Sequence, residues 1–263
     1  MFGDFHDATS VNPRGGGVYD GEIADGWDIG GNANGGYVIA LAARAMADAV
    51  GRPPLSLTAH YLSPGRPGPV EIDVDVLRAG RRLSTAAARM RSADAEVLAL
   101  LGTFAEQTPG GPSAIIGSPP ELPPVAECVL AVPPVESGFH HRVRTSVRPQ
   151  DAGFREGRPH GTAEVEGWFE LPDEQPIDAF GLLMATDAFT PVVFNHGAFP
   201  VGWSPTLELT VHVRGVPAPG PLRCRFFSKF IENGMFEESG ELWDTDGALV
   251  AHSRQLALIP RGA

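Results

Sequence analysis

Apolar and polar positions alternate along this chain with two different periods, and the periods separate strands from helices. Over residues 70–76, Val70, Ile72, Val74 and Val76 alternate with Glu71, Asp73 and Asp75, the period-two pattern of a strand with one solvated face. Residues 55–62, 83–91 and 96–104 complete a run of four strands, punctuated by Pro64-Gly65 and Gly68, by Ala79-Gly80, and by the turn from Ser92 to Asp94. Ahead of them, residues 36–50 carry Val38, Ile39, Leu41, Ala42, Ala45, Met46 and Ala49. Apolar residues on more than one face predict a largely buried helix.

The same order recurs further along. Asp178 is placed to cap a second apolar helix, running through Leu182, Leu183, Met184 and Phe189 until Pro191 or shortly after disrupts it. Residues 206–214 then alternate, with Leu207, Leu209, Val211 and Val213 on one face and Thr206, Glu208, Thr210, His212 and Arg214 on the other. Residues 222–231, 235–243 and 249–259 are the remaining strands, the last two separated by a turn at Asp244-Thr245-Asp246-Gly247. Between the two sets lies a stretch with Pro109, Gly110, Gly111, Pro112, Pro119, Pro120, Pro123, Pro124, Pro133 and Pro134, which reads as a linker. The expected division is a first half over 1–106, a linker over 107–137 and a second half over 138–263. Each half reads as an extended segment, a buried helix and a curved antiparallel sheet, an α+β layout used twice.

Composition narrows the function classes. A chain of 263 residues that is 43% hydrophobic can bury a substantial core. Its longest apolar stretches, 38–43 and 97–101, fall well short of the roughly 18 to 20 residues that cross a bilayer, so no membrane span is expected. The start, Met1-Phe2-Gly3-Asp4-Phe5-His6-Asp7, has neither the positive flank nor the apolar run of a secretory signal, and a cytoplasmic location is expected. Two cysteines, Cys128 and Cys224, are too few for a disulfide framework and too far apart for a zinc knuckle. A formal charge of -12 argues against nucleic acid as partner. An anionic ligand would need a local basic patch, for which Arg81-Arg82, Arg89, Arg91 and the group Arg214, Arg223, Arg225 and Lys229 are candidates; each arginine alone reads more readily as part of a solvated face.

For chemistry, Asp187 stands out as a carboxylate inside an apolar helix, costly there unless paired, with the solvent-facing stripe of the same helix as its other reading. Thr206 and Gln255 are unremarkable on their strands. Asn34-Gly35-Gly36 opens the first helix, and its glycines either bring a ligand up to free backbone N–H groups at the positive helix end or simply make a tight entry turn. No Gly-x-Gly-x-x-Gly or P-loop spacing and no Gly-x-Ser-x-Gly elbow is present, and His140-His141 point apart rather than toward one metal. Neither a metal nor a cofactor is expected.

Two groups of motifs resemble the acyl-CoA thioesterase II family of double hot-dog enzymes, with a likeness over nearly the whole chain. The first is Asn34-Gly35-Gly36-Tyr37, followed by Ala59-His60-Tyr61-Leu62-Ser63-Pro64-Gly65 and by Asp75-Val76-Leu77-Arg78-Ala79-Gly80-Arg81-Arg82-Leu83-Ser84. These are similar to the family's Gly-Gly helix start, its Tyr-Phe-Leu-Arg-Pro-Gly turn and its Arg-x-Gly hairpin. Ser63 stands where the family has arginine, which puts a phosphate contact in doubt. The second is Ala185-Thr186-Asp187, then Ser204-Pro205-Thr206-Leu207-Glu208, then Leu249-Val250-Ala251-His252-Ser253-Arg254-Gln255. Here the family's aspartate, threonine and glutamine fall on Asp187, Thr206 and Gln255; a different strand register would pass the threonine's role to Ser204 or Thr210.

The resemblance implies two hot-dog sheets, each around a long helix, and a metal-free hydrolysis of acyl-CoA. Asp187, Thr206 and Gln255 would hold one water, with Asn34, Gly35, Gly36, Arg81 and Arg82 binding substrate and the Gly35 and Gly36 N–H groups receiving the oxyanion. It further implies a site between halves, a homo-oligomer paired through a sheet edge, and a tunnel lined by residues such as Met46, Phe180, Met184 and Phe189. An enoyl-CoA hydratase would need a histidine five residues after its aspartate, whereas His196 lies nine beyond Asp187. A noncatalytic acyl-CoA or acyl-carrier binding protein of the same fold is the other alternative.

Overall fold

The computed structural model describes residues 4–93, 95–107, 114–131 and 137–260. The extended segment before the first helix resolves into a short helix α1 (Phe5–Ala8) and strands β1 (Asn12–Gly15), β2 (Val18–Ile23), β3 (Asp28–Ile29) and β4 (Asn32–Ala33). Helix α2 (Gly35–Val50) follows, then β5 (Pro54–Tyr61), β6 (Gly68–Ala79), β7 (Ser84–Ser92) and β8 (Glu96–Phe104). The second half contributes β9 (Val129–Leu130), β10 (Arg144–Val147), β11 (Glu164–Glu170), helices α3 (Ala179–Ala185) and α4 (Val193–His196), and then β12 (Thr206–Val213), β13 (Leu222–Phe227), β14 (Ile231–Glu232), β15 (Met235–Trp243) and β16 (Leu249–Leu258).

Helix α2 has local causes at both ends. The Asn34 side chain accepts the Tyr37 N–H at its start, and Gly51 closes it in the left-handed region at φ 67°. Between these caps every residue from Gly36 to Ala43 is buried, as the all-round apolar pattern predicts. The strands form one continuous antiparallel sheet in the order β1-β2-β6-β7-β8-β5-β12-β16-β15-β13-β11-β10-β9, with β14 on β15 and the β3–β4 hairpin apart. The halves join where β5 pairs with β12, from Ser56 opposite His212 to His60 opposite Glu208. Two separate sheets, each around a long helix, are therefore not what forms. One sheet spans both halves, because the edge strand of each finds its ladder partner in the other.

The second helix also departs from expectation. It starts as predicted, with Asp178 accepting the N–H groups of Phe180 and Gly181 at 3.0 and 2.7 Å. It ends after seven residues at Ala185, and Thr186 turns its hydroxyl back onto the Leu183 carbonyl at 2.7 Å. A helix continued through residue 191 would bond the Asp187 carbonyl to an N–H that Pro191 lacks. That carbonyl instead accepts the side-chain amide of Asn34 at 2.7 Å. The predicted 222–231 strand is likewise interrupted, since the Lys229 N–H leaves the ladder to meet the Glu237 carboxylate at 2.8 Å.

Helices α2 and α3 pack against each other within the core. A Cβ on Gly36 would sit 2.6 Å from the Met184 carbonyl oxygen and 2.9 Å from its Cα, so this crossing needs glycine. Of the expected linker, residues 108–113 and 132–136 lie outside the described residues, as does Asp94 in the expected turn. The described part is tied to the second half by the Trp168 indole N–H on the Pro123 carbonyl, at 2.9 Å, and by β9 pairing with β10. Among the described residues, no helix is long and apolar enough to cross a membrane.

Candidate active site

The start of α2 and the end of α3 meet head to tail, and Asp187 sits where they meet. Asn34 serves both sides: its Oδ1 caps α2 through the Tyr37 N–H at 2.9 Å, while its Nδ2 donates to the Asp187 carbonyl and to Asp187 Oδ2 at 3.2 Å. The Gly36 N–H donates to the same Oδ2 at 3.0 Å. The carboxylate is thus bound at the positive end of a 16-residue helix. Burial raises its pKa from 3.8 to about 6, against the lowering effect of the Gly36 and Gly35 backbone. Part of its surface stays open to a neighbouring cavity. Asp187 is therefore neither inside its helix nor on a solvated stripe. The N–H groups expected to face an oxyanion are directed at this carboxylate instead.

Thr206 comes to the site through a bulge. Period two would place it with Glu208 and Thr210 on the outer face, but β12 slips by one residue between Thr206 and Glu208: Glu208 lies opposite Leu256 while Thr206 lies opposite Ala257. Leu207 is the extra residue. The slip turns Thr206 to the inner face, where its hydroxyl donates to Gln255 Oε1 at 3.0 Å. The two alternatives for its role are engaged elsewhere, Ser204 on the Leu258 carbonyl and Thr210 with Thr58 and Glu208.

Glu238 completes the chain of contacts and was not singled out from the sequence. It lies opposite Gln255 in the β15–β16 ladder, accepts the Gln255 Nε2 at 2.7 Å through Oε1, and accepts the Val192 N–H at 2.9 Å through Oε2. Burial pushes its pKa from 4.5 to about 7, the Val192 and Gln255 donors pull it down, and the Asp187 and Glu237 charges add to the rise. Its signal was readable: Glu238 shares the period-two face of Phe236, Gly240 and Leu242, all buried.

Asp187 and Thr206 line a cavity of about 510 Å³, within the range of small-molecule sites. Its wall includes Val38, Tyr61, Phe189, Phe194 and Leu207, and no arginine or lysine among the described residues. Gln255 stands behind Thr206 rather than on the wall. Of the expected tunnel residues Phe189 alone lines this cavity; Met46 and Met184 are core, and Phe180 lies under the Arg44 guanidinium, 4.2 Å from its centroid.

Arg81 and Arg82 are not brought to this site. They are exposed in the β6–β7 hairpin, which Arg52, just past the C-terminal end of α2, ties down through the Gly80 and Arg81 carbonyls. A helix of this length separates its ends by roughly 24 Å. Arg89, Arg91 and Arg225 are paired with acids, Glu96, Glu71 with Asp73, and Glu166 with Glu241 respectively. Among the described residues, no group of three or more His, Cys, Asp or Glu side chains could hold a metal ion. The site offers a carboxylate able to accept a proton near neutrality, a hydroxyl oriented by an amide, and an apolar chamber.

Known proteins share these features at the level of sequence and fold. The family profile described as the acyl-CoA thioesterase N-terminal domain matches residues 23–105, and that of the acyl-CoA thioesterase C-terminal domain matches residues 117–259. An uncharacterized protein of Mycobacterium tuberculosis is 29% identical over 268 residues, covering 92% of this chain and 91% of its own. The crystal structure of a candidate thioesterase II from Thermobifida fusca is 31% identical, covers 98% of this chain and 97% of that one, and superposes with a TM-score of 0.89. A protein of unknown function with the hot-dog fold from Alicyclobacillus acidocaldarius, 22% identical with 98% of each chain covered, shares the fold at a TM-score of 0.84.

Proposed function

Because the chain belongs to the acyl-CoA thioesterase family, we propose that it hydrolyses an acyl-CoA thioester to the free acid and CoA with a water activated by Asp187. The observation that carries this reading is the placement of one partly accessible carboxylate, with its pKa near 6, in a cavity it shares with a hydroxyl fixed by an amide. Asp187 accepts a proton from water as the water oxygen attacks the carbonyl carbon. The carbon–sulfur bond then breaks, and the thiolate leaves with the proton held by Asp187.

Thr206 has its own hydrogen committed to Gln255, so its oxygen is left to accept a hydrogen from the attacking water. Gln255 cannot turn its amide over while the Glu238 carboxylate accepts from Nε2, so the order of donors along Glu238, Gln255 and Thr206 is fixed. Fixing the water in this way is the orientation effect that makes an attack effectively intramolecular. The cavity takes the acyl and pantetheine portion, and with no arginine or lysine among the described residues of its wall it leaves the phosphates outside.

The test is free-thiol release by the purified protein across straight-chain acyl-CoAs from acetyl to palmitoyl, with Asp187→Asn alongside. The expected result is turnover that the substitution lowers by about 10³-fold, at the level of removing a general base. Binding of acyl-CoA without any turnover would replace this reading with that of a noncatalytic acyl-binding protein.

A further inference from the structure

Tyr61 ends β5 with its ring in the cavity wall and its hydroxyl oxygen buried, and that oxygen finds no hydrogen-bond partner in the protein. Folded chains rarely leave a buried hydroxyl unpaired, because its lost hydration is then uncompensated. Here the other polar groups of the Asp187 site, Asn34, Thr206, Gln255 and Glu238, are already paired. The hydroxyl also has a defined aim. A Cβ placed on Gly35 would lie 2.7 Å from the Tyr61 oxygen and 2.7 Å from Asp187 Oδ2, so both oxygens converge on one point over the first residue of α2. Only glycine lets the two oxygens close in on this residue, which sets the Tyr61 hydroxyl beside Asp187 at the helix start.

The start of α2 is the ordinary place for an oxyanion to find donors, but its Gly36 N–H is bonded to the base. A donor for the carbonyl oxygen must come from another group within reach of Asp187. Among the described residues, His140 Nε2 is the other fully buried polar side-chain atom of the wall without a partner; its ring lies 2.7 Å from Ser137 Oγ, and which of its nitrogens carries the proton depends on that contact. Tyr61 has no such ambiguity. Burial, with the charges of Asp187 and Glu208 adding to it, pushes its pKa well above the usual value, so the phenol stays a donor.

Resting on the hydrolytic reading above, we infer that the Tyr61 hydroxyl is a catalytic residue that donates a hydrogen bond to the thioester carbonyl oxygen and holds the oxyanion as water adds. As the water oxygen bonds to carbon and its proton passes to Asp187, the carbonyl π pair moves onto oxygen and is met by the Tyr61 O–H. The pair returns when the carbon–sulfur bond breaks, and the phenol keeps its proton throughout.

The experiment is Tyr61→Phe, read in three ways. Loss of one oxyanion donor predicts kcat lower by about 10²-fold, with KM within about threefold and the pH midpoint of kcat unmoved. Since the substitution removes an unpaired buried hydroxyl, Tm is expected to stay level or rise by a few degrees, which a structural role for Tyr61 would not allow. The third reading needs no turnover: the ketone analogue of octanoyl-CoA, carrying a methylene between sulfur and a ¹³C-labelled carbonyl, is bound and its carbonyl infrared band recorded. The band moves to lower frequency on wild-type protein and moves back in Tyr61→Phe. Equal kcat values, or an equal band in both proteins, overturn the inference even where Asp187→Asn abolishes hydrolysis. If the wild type shows the band shift but hydrolyses nothing, the hydrolytic reading fails and the Tyr61 contact stands. If the analogue does not bind, both fail.

Discussion

Asp187 holds its negative charge at a cost, and the sign of that cost is measurable. Its folded pKa of about 6 lies above the ordinary 3.8, so the native state binds the proton more tightly than the unfolded chain and loses stability as pH rises through that window. Two pH units correspond to about 3 kcal/mol as an upper bound, since the cavity leaves the group partly accessible. Asp187→Asn is therefore expected to melt higher than wild type at pH 8 and level with it near pH 4; a lower melting temperature at pH 8 would contradict a destabilised carboxylate. Asn34 supplies a companion prediction. Asn34→Asp keeps a helix cap but replaces the amide donor 3.2 Å from Asp187 Oδ2 with a second acid. The pH midpoint of hydrolysis should move up by about one unit, with the rate falling about twofold at pH 7 and about tenfold at pH 5, while a midpoint unchanged or lowered would remove Asn34 from the control of Asp187. Residue type is legible in the sequence only as a resemblance, through the motifs that put an aspartate, a threonine and a glutamine at Asp187, Thr206 and Gln255. Residue environment is not. The contacts between Asn34 or Gly36 and Asp187 join positions more than 150 apart in sequence, and no local pattern encodes them.

Regular elements were legible where they repeat a period, and illegible where they break it. Helix α2 and strands β5 to β8 fall within one to three residues of their predicted ends because apolar spacing and turn residues agree. The face of Thr206 did not follow from alternation, because the β12 bulge at Leu207 reverses it. The length of α3 was overestimated because Pro191 acts on the carbonyl four residues before it, while the apolar run continues past that point. Two substitutions test what these elements do for the site. Gly36→Ala drives a Cβ into the Met184 backbone at 2.6 Å and should cost about 1 to 3 kcal/mol by overpacking, seen as a lower denaturation midpoint; a midpoint equal to wild type would mean the helices can slide apart freely. Glu238→Gln leaves one acceptor oxygen where the carboxylate has two, so it can no longer accept from both Gln255 Nε2 and the Val192 N–H and the Gln255 amide loses its fixed order; kcat should fall by about tenfold with KM little changed, and an unaltered kcat would leave Glu238 a purely structural acid.

One sheet running through both halves makes the site a property of the whole chain. Asn34, Gly36 and Tyr61 come from the first half and Asp187, Thr206, Glu238 and Gln255 from the second, held in register by the β5–β12 ladder and by the Thr58–Thr210 hydroxyl contact at 2.9 Å across it. The internal duplication does not produce a matching second site at the start of α3. There Asp178 fills its own cap and pairs with Arg44 at 3.2 Å. Shared strands and a shared core predict a single cooperative unfolding transition by calorimetry, and two separate transitions would contradict the coupling. The outer strands β1 and β9 are four and two residues long, and β1 contains Pro13, so both are poor templates for the edge pairing that the resemblance implied. The most direct measurement of the central claim is the pH dependence of kcat/KM for acyl-CoA hydrolysis by the wild-type protein. An Asp187 base with its pKa near 6 predicts a rate that climbs tenfold per unit below that midpoint and levels above it; a rate that is flat from pH 5 to 8, or that falls as pH rises through 6, would contradict it.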